Sequence, residues 1–264
     1  MTLPFWISDA VLLSTQASLV ALPGAPHPPI LRRLRGAWWA LVPALSIPVV
    51  VGAIALAPGT ADFLTYLALV TTPILAAAAL GYVMHGARPP LAVAVVPLLA
   101  IAWASKGSLA GDGAALVLTA LACLTLGWLL AAITPASWLK VGIVVTAVID
   151  SYLVFSHLLD QPNATLNAAA PGGGLPQLQF VTFGSASMGY GDLFIAALLG
   201  GLLLVEGTRQ APVAIACLVF AALFDLLFFV TDELPATVPV ALALVASELV
   251  RARRSTRSTP APRP

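Results

Sequence analysis

Apolar runs separated by short polar breaks fill the chain from Trp38 to Val250. A bilayer crossing by a helix needs roughly 20 such residues. The pattern therefore predicts eight spans: Trp38–Ala57, Ala61–Met84, Pro90–Ala104, Ala114–Ile133, Trp138–Leu159, Gln179–Val205, Pro212–Val230 and Ala236–Val250. The third and the last are short. A ninth run, Leu3–Leu22, carries Asp9, Gln16 and several hydroxyls, so it is either a span facing the bundle or an interfacial helix. It lacks the basic start of a signal peptide. The predicted fold is an all-α, polytopic membrane bundle of eight or nine helices.

Composition agrees with that reading. Of 264 residues, 60% are hydrophobic and only 9% charged, against roughly 25% charged in a soluble domain. A net charge of +1 leaves no basic face for nucleic acid. Cys123 and Cys217 both fall in apolar runs and read as packing residues. There is no CxxC, no metal-spaced His/Cys set and no phosphate-binding glycine loop. No metal or cofactor is expected. The partners implied are the lipid bilayer and other membrane segments, and the oligomeric state is open.

Charge then orients the spans, because cytoplasmic loops retain Lys and Arg. Arg32, Arg33 and Arg35 precede the first span, Arg88, Lys140 and Arg209 fall at alternate connections, and Arg251, Arg253, Arg254 and Arg257 follow the last. The opposite connections hold Asp112, Asp160, Asp232 and Glu233, with Lys106 the exception. The C-terminus is expected in the cytoplasm of a cell-membrane protein. The organisation expected is residues 1–35 as an N-terminal segment, 36–133 and 134–250 as two four-helix membrane regions, and 251–264 as a disordered basic tail. Asp160–Leu178 reads as a flexible external loop.

Ionisable residues inside spans are costly, about 2.5 kcal/mol or more each, and are functional candidates by default. Asp150 lies ten residues after Lys140 and ten before Asp160, which predicts a mid-membrane position. Asp192 lies thirteen after Gln179 and fourteen before Glu206, again mid-helix. Asp225 falls nearer the outer surface. Stripes of small residues carry the first two acids: Gly142 and Thr146 precede Asp150, and Ser185, Gly189, Ala196 and Gly200 flank Asp192. Such stripes let membrane helices approach closely. Two carboxyls in contact share a proton, and such a pair suits acid–base hydrolysis without a metal or a nucleophilic side chain.

Three elements together resemble a known family. Gly189-Tyr190-Gly191-Asp192 forms a GxGD motif, Asp150 lies on the preceding span, and Pro235-Ala236-Thr237 opens the second span after it. This arrangement is similar to that of the GxGD intramembrane aspartyl proteases, the group of presenilin and signal peptide peptidase. The resemblance covers about Trp138 to Val250. It implies that Asp150 and Asp192 are the catalytic pair, that Gly189, Tyr190 and Gly191 belong to the motif, and that Pro235, Ala236 and Thr237 shape the site. It also implies transmembrane helices of other proteins as substrates. Thr237 stands where the family has leucine, and Ile149 where it commonly has an aromatic residue. The inside-to-outside course of the Asp150 span matches signal peptide peptidase and implies substrates with a cytoplasmic N-terminus, such as signal-peptide remnants. Alternatives are a prepilin peptidase-like GxGD protease, whose usual lysine after the motif is replaced by Leu193 and Phe194, a transporter using Asp150, Asp192 and Asp225 as a carboxylate relay, and an inactive scaffold.

Overall fold

The computed structural model describes residues 3–57, 59–231 and 233–257. Helix α1 is Phe5–Ala21; α2 is Leu41–Leu56, led by a 3-10 turn at Ala37–Ala40; α3 is Gly59–Ala78, prolonged by a wider π turn at Ala79–Val83. A 3-10 turn at Pro89–Ala94 leads into α4, Val95–Ala104; then follow α5, Leu109–Ile133, and α6, Ala136–Phe155. A short helix α7, Asp160–Ala168, precedes strands β1, Phe180–Phe183, and β2, Ala186–Gly189. The chain closes with α8, Tyr190–Val205, α9, Gln210–Phe224 with a 3-10 extension to Phe229, and α10, Thr237–Arg257.

Among the described residues, five helical segments are long and apolar enough to cross a membrane: Ala37–Leu56, Gly59–Val83, Leu109–Ile133, Ala136–Phe155 and Gln210–Phe229. Phe5–Ala21, Pro89–Ala104 and Tyr190–Val205 are apolar but shorter. The chain is a helical membrane protein.

Local chemistry sets the helix ends. Ser108 caps α5 by accepting from the Gly111 N–H, satisfying a donor that the first turn leaves orphaned. Pro89 opens the turn into α4, where its missing N–H costs nothing. At the end of α6, His157 adopts φ 58° and the Leu158 N–H returns to the Leu153 carbonyl, a left-handed helix stop. His157 is therefore a terminator, paired with Asp160 at 3.4 Å.

Helix α8 is the axis of the bundle. From Leu193 to Leu203 nearly every residue is buried, so its sequence is apolar on all faces rather than on one stripe. Its main partner is α5, with α1 and α10 completing the enclosure. Within a bilayer such packing relies on close contact rather than expulsion from water. A methyl at Gly127 would come within 2.5 Å of the Leu198 nitrogen, and one at Gly200 within 2.6 Å of the Leu19 carbonyl oxygen. These glycines let α5 and α1 reach the α8 backbone. Replacing fully buried Leu199 by Ala would cost about 2–5 kcal/mol.

Three expectations need correction. Gln179–Val205 is not one helix: residues 180–189 form an antiparallel hairpin, paired from Phe180 with Gly189 to Phe183 with Ala186. The β-branched and aromatic sequence FVTF favours a strand, and Gly184 at φ 60° supplies the first residue of a two-residue turn. The Asp160–Leu178 loop contains α7 and is tied down: Gln177 and Gln179 donate to the Ala169 carbonyl at 2.8 and 3.1 Å. Lys106, the exception in the charge pattern, donates to the Leu175 carbonyl of this loop at 3.3 Å. The tail expected to be disordered is helical to Arg257, and Ser258–Pro264 lie outside the described residues. Across the boundary at residue 133, α8 packs chiefly on α5, and α1 packs on α8 and α9.

Candidate active site

Asp150 occupies the last turns of α6, which ends at Phe155. It is buried at 6% exposure, and its Oδ2 accepts the Thr237 hydroxyl at 2.6 Å. Thr237 is wholly buried and is the first residue of α10. Pro235 and Ala236 run into it as non-helical chain, so a helix start is aimed directly at a carboxylate.

Asp192 is the third residue of α8 rather than its midpoint. Its Oδ2 accepts the Gly189 N–H at 3.1 Å, satisfying an orphan donor as first-turn carboxylates do. The carboxylates of Asp150 and Asp192 lie close enough for the charge of one to act on the other. Asp150 thus stands in the second half of α6 and Asp192 at the start of α8, not at helix centres. The helices are shorter than the predicted spans because α6 ends at Phe155, ahead of the His157 turn, and the hairpin takes ten residues of Gln179–Val205.

The glycines of the motif have different surroundings. A methyl at Gly189 would sit 3.0 Å from Asp192 Oδ2, whereas one at Gly191 would meet nothing within 4 Å. Gly189 lets the backbone close on the carboxylate; Gly191 leaves open space beside it. Tyr190 sits between them, and its carbonyl faces the Cys123 thiol at 3.6 Å. The hairpin is fixed from three sides. The Gly184 N–H donates to Asp112 Oδ2, the Ser185 N–H to Ser8 Oγ, and Ser185 Oγ to the Leu3 carbonyl, at 3.3, 3.2 and 2.9 Å.

The small-residue stripes do other work than expected. Gly142 faces the Ala40 carbonyl at the start of α2, and Gly200 faces α1. Ser185 and Gly189 belong to the hairpin. Asp225 does not join the pair: its carboxyl hydrogen-bonds with that of Asp9 on α1.

Two groups escaped the sequence reading. Gln16, fully buried on α1, donates from Nε2 to the carbonyls of Ala236 at 2.9 Å and Asp192 at 3.4 Å. Asp9, also buried, meets Asp225. The signal was their seven-residue spacing in an apolar run, which puts both on one helix face.

At the opposite ends of α6 and α8 lies an ion-pair cluster. Lys140 Nζ approaches Glu206 at 2.6 Å and Glu248 at 2.9 Å, and Arg251 approaches Glu206 at 2.7 Å. Partial burial pushes the Glu206 carboxyl up, but hydrogen bonds and charge from Lys140 and Arg251 outweigh it and hold the group below the usual glutamate value.

No family model, curated protein or solved structure matches the chain. Function must therefore be argued from this site. Among the described residues there is no group of three or more His, Cys, Asp or Glu suited to a metal. What the site offers is two carboxyls, a hydroxyl donor on one of them, and non-helical backbone on two sides.

Proposed function

We propose that the protein is an intramembrane aspartic endopeptidase of the GxGD type, built of nine crossings, with Asp150 and Asp192 as its catalytic pair. One observation carries this reading: three distant chain segments converge so that Thr237, from the Pro-Ala-Thr sequence, donates to Asp150 while Asp150 and Asp192 interact. Two carboxyls so placed share one proton. The ionised one takes a proton from water as its oxygen attacks the peptide carbon, and the protonated one donates to the peptide oxygen. The resulting gem-diol collapses with cleavage of the C–N bond; a carboxyl proton goes to the departing nitrogen, and the pair regains its single proton. Gly191, with open space beside it, is where substrate backbone approaches. The exchanging hydrogen bonds of an unwound substrate stretch need partners inside a membrane, and the hairpin edge beside the site supplies main-chain groups.

In this reading the N-terminus is external, the C-terminus cytoplasmic, and the Asp160–Leu178 segment external. The test of function is incubation of purified protein in detergent with single-span peptides, with products identified by mass spectrometry. Internal cleavage of peptides within the apolar span supports the reading. No cleavage, together with proton-coupled uptake in vesicles, would replace it with a carboxylate-relay transporter, a reading that draws on the second buried acid pair, Asp9 and Asp225. For orientation, an impermeant thiol reagent applied to intact cells should label a cysteine placed at Asn167 and not one at Ser258; the reverse labelling inverts the topology.

A further inference from the structure

Gln16 is an amide buried with 0% exposure in an otherwise apolar helix, between two pieces of the candidate site. Its Nε2 carries two N–H donors, and each has a carbonyl to meet: Ala236, 2.9 Å away and 220 residues later, and Asp192, at 3.4 Å. Ala236 immediately precedes Thr237, whose hydroxyl reaches Asp150. Asp192 carries the other carboxyl. The side chain thus links the main chain at both halves of the pair.

Stability alone does not account for this residue. Its Oε1 is buried without a protein partner, and an unsatisfied buried acceptor costs about 1–3 kcal/mol. A methionine of similar length would fill the space without that cost. The carbonyls it meets explain its presence. A backbone carbonyl has two lone pairs, so one at a helix start can accept a buried side-chain N–H beside its helical bond. Helix α1 is held at the right height for this contact. Ser8 accepts from the hairpin turn at 3.2 Å, and Gly200 lets α1 reach the α8 backbone.

We infer that Gln16 is a positioning residue: by tying the Ala236 and Asp192 carbonyls together, it sets the distance between the Thr237–Asp150 contact and Asp192. This rests on the protease reading above, and it makes the N-terminal helix part of the active site rather than an anchor.

The experiment uses the full-length protein with Gln16→Met, Thr237→Val and the double variant. Two quantities are read: turnover of a single-span peptide, and hydrogen exchange of the Leu234–Leu242 segment. In Gln16→Met, kcat should fall about tenfold to a hundredfold, as expected for a small misplacement of reacting groups. KM should change by less than about twofold, since no group touching substrate is removed. The double variant should be no slower than Thr237→Val alone, because both act through the same contact. Exchange of Leu234–Leu242 should rise while the rest of α10 is unchanged. Unaltered exchange overturns the link whether or not the protein is active. Raised exchange with unaltered turnover, or additive losses in the double variant, reduces Gln16 to a structural residue and overturns the proposal. A wild-type chain that cleaves nothing while Gln16→Met raises exchange sinks the protease reading and leaves the link standing. If Gln16→Met does not insert, Gln16→Glu, which keeps one donor when protonated, is read by the same two measurements.

Discussion

The Asp150–Asp192 pair lies where helix gives way to extended chain, whereas the Asp9–Asp225 pair joins α1 to the end of α9. Asp9, Asp150 and Asp225 are buried and Asp192 is half-buried, and each pair brings two acids together on neighbouring elements. Their surroundings differ. Around the first are a hairpin, two glycines, a helix start and a threonine hydroxyl. Around the second are aromatic rings: Phe5 stacks edge-on to Phe228 at 5.3 Å, and Trp6 lies 5.6 Å from Phe229. The first pair has non-helical backbone beside it, whereas the second has aromatic residues beside it in sequence. The second pair reads as a polar contact that docks α1.

The sharpest way to break this contrast is to neutralise one acid of each pair. Asp150→Asn or Asp192→Asn should lower turnover by about a thousandfold or more, with the double variant little worse, because the two act as a unit. Asp225→Asn keeps a hydrogen bond to Asp9 and should leave turnover within about threefold. Comparable losses at Asp225 and Asp150 in folded protein would dissolve the distinction and favour a relay of acids.

Next in size is the hydroxyl that only the first pair possesses. Thr237→Val removes the donor at 2.6 Å and should reduce kcat by about tenfold to a hundredfold, with Thr237→Ser recovering most of it. The pH–rate profile should be bell-shaped in the wild type, with both limbs belonging to the pair, and should shift in Thr237→Val. An unmoved profile would separate Thr237 from the titrating unit.

The glycines offer a smaller and more local comparison. A methyl at Gly189 crowds Asp192 Oδ2 at 3.0 Å, and one at Gly191 finds free space. Kinetics with peptide substrates should therefore show Gly189→Ala lowering kcat, and Gly191→Ala chiefly raising KM, by roughly tenfold or less in each case. Equal effects on kcat would mean that the two glycines serve helix geometry alone.

The smallest effect lies at the other end of α6 and α8. Glu206 is held below its ordinary pKa by Lys140 and Arg251. A depressed carboxyl contributes stability that is present above the unfolded glutamate value of about 4.3 and is lost as pH falls through the lower folded value. Glu206→Gln should lower stability by about 1 kcal/mol at neutral pH, a modest figure because Lys140 and Arg251 are partly solvated. Thermal melts of the two proteins should converge below about pH 4. A gap that persists in acid would assign the effect to packing.

Much of this architecture was legible in the chain. The helical runs show in hydropathy, and Asp150 and Asp192 stand out because carboxylates are rare in apolar sequence. What hid was the change of backbone type within an apolar run. Phe180–Phe183 and the helix after Gly189 are both hydrophobic, and short apolar segments do not distinguish strand from helix by periodicity. The β-branched FVTF and the Gly184-Ser185 turn were the available signals. Gln16 and Asp9 were visible as polar residues on one face of Leu3–Leu22, but their partners lie 220 and 216 positions away, and no local pattern points across such a distance. The short helix α7 was obscured by the Pro, Gly and Asn around it.

That sequence separation has a consequence for how the protein is made. Gln16 leaves the ribosome 220 residues before Ala236, which at 5–20 residues per second is a delay of roughly 10 to 40 s. During that interval the Gln16 amide lacks its Ala236 partner, and both Asp150 and Asp192 are made before the segment that carries Thr237. A chain released early, or one stalled before α10, carries both aspartates and no assembled centre. On the protease reading proposed above, the order of the gene would act as a safety catch: the Thr237–Asp150 contact can form only once the last helix has been made.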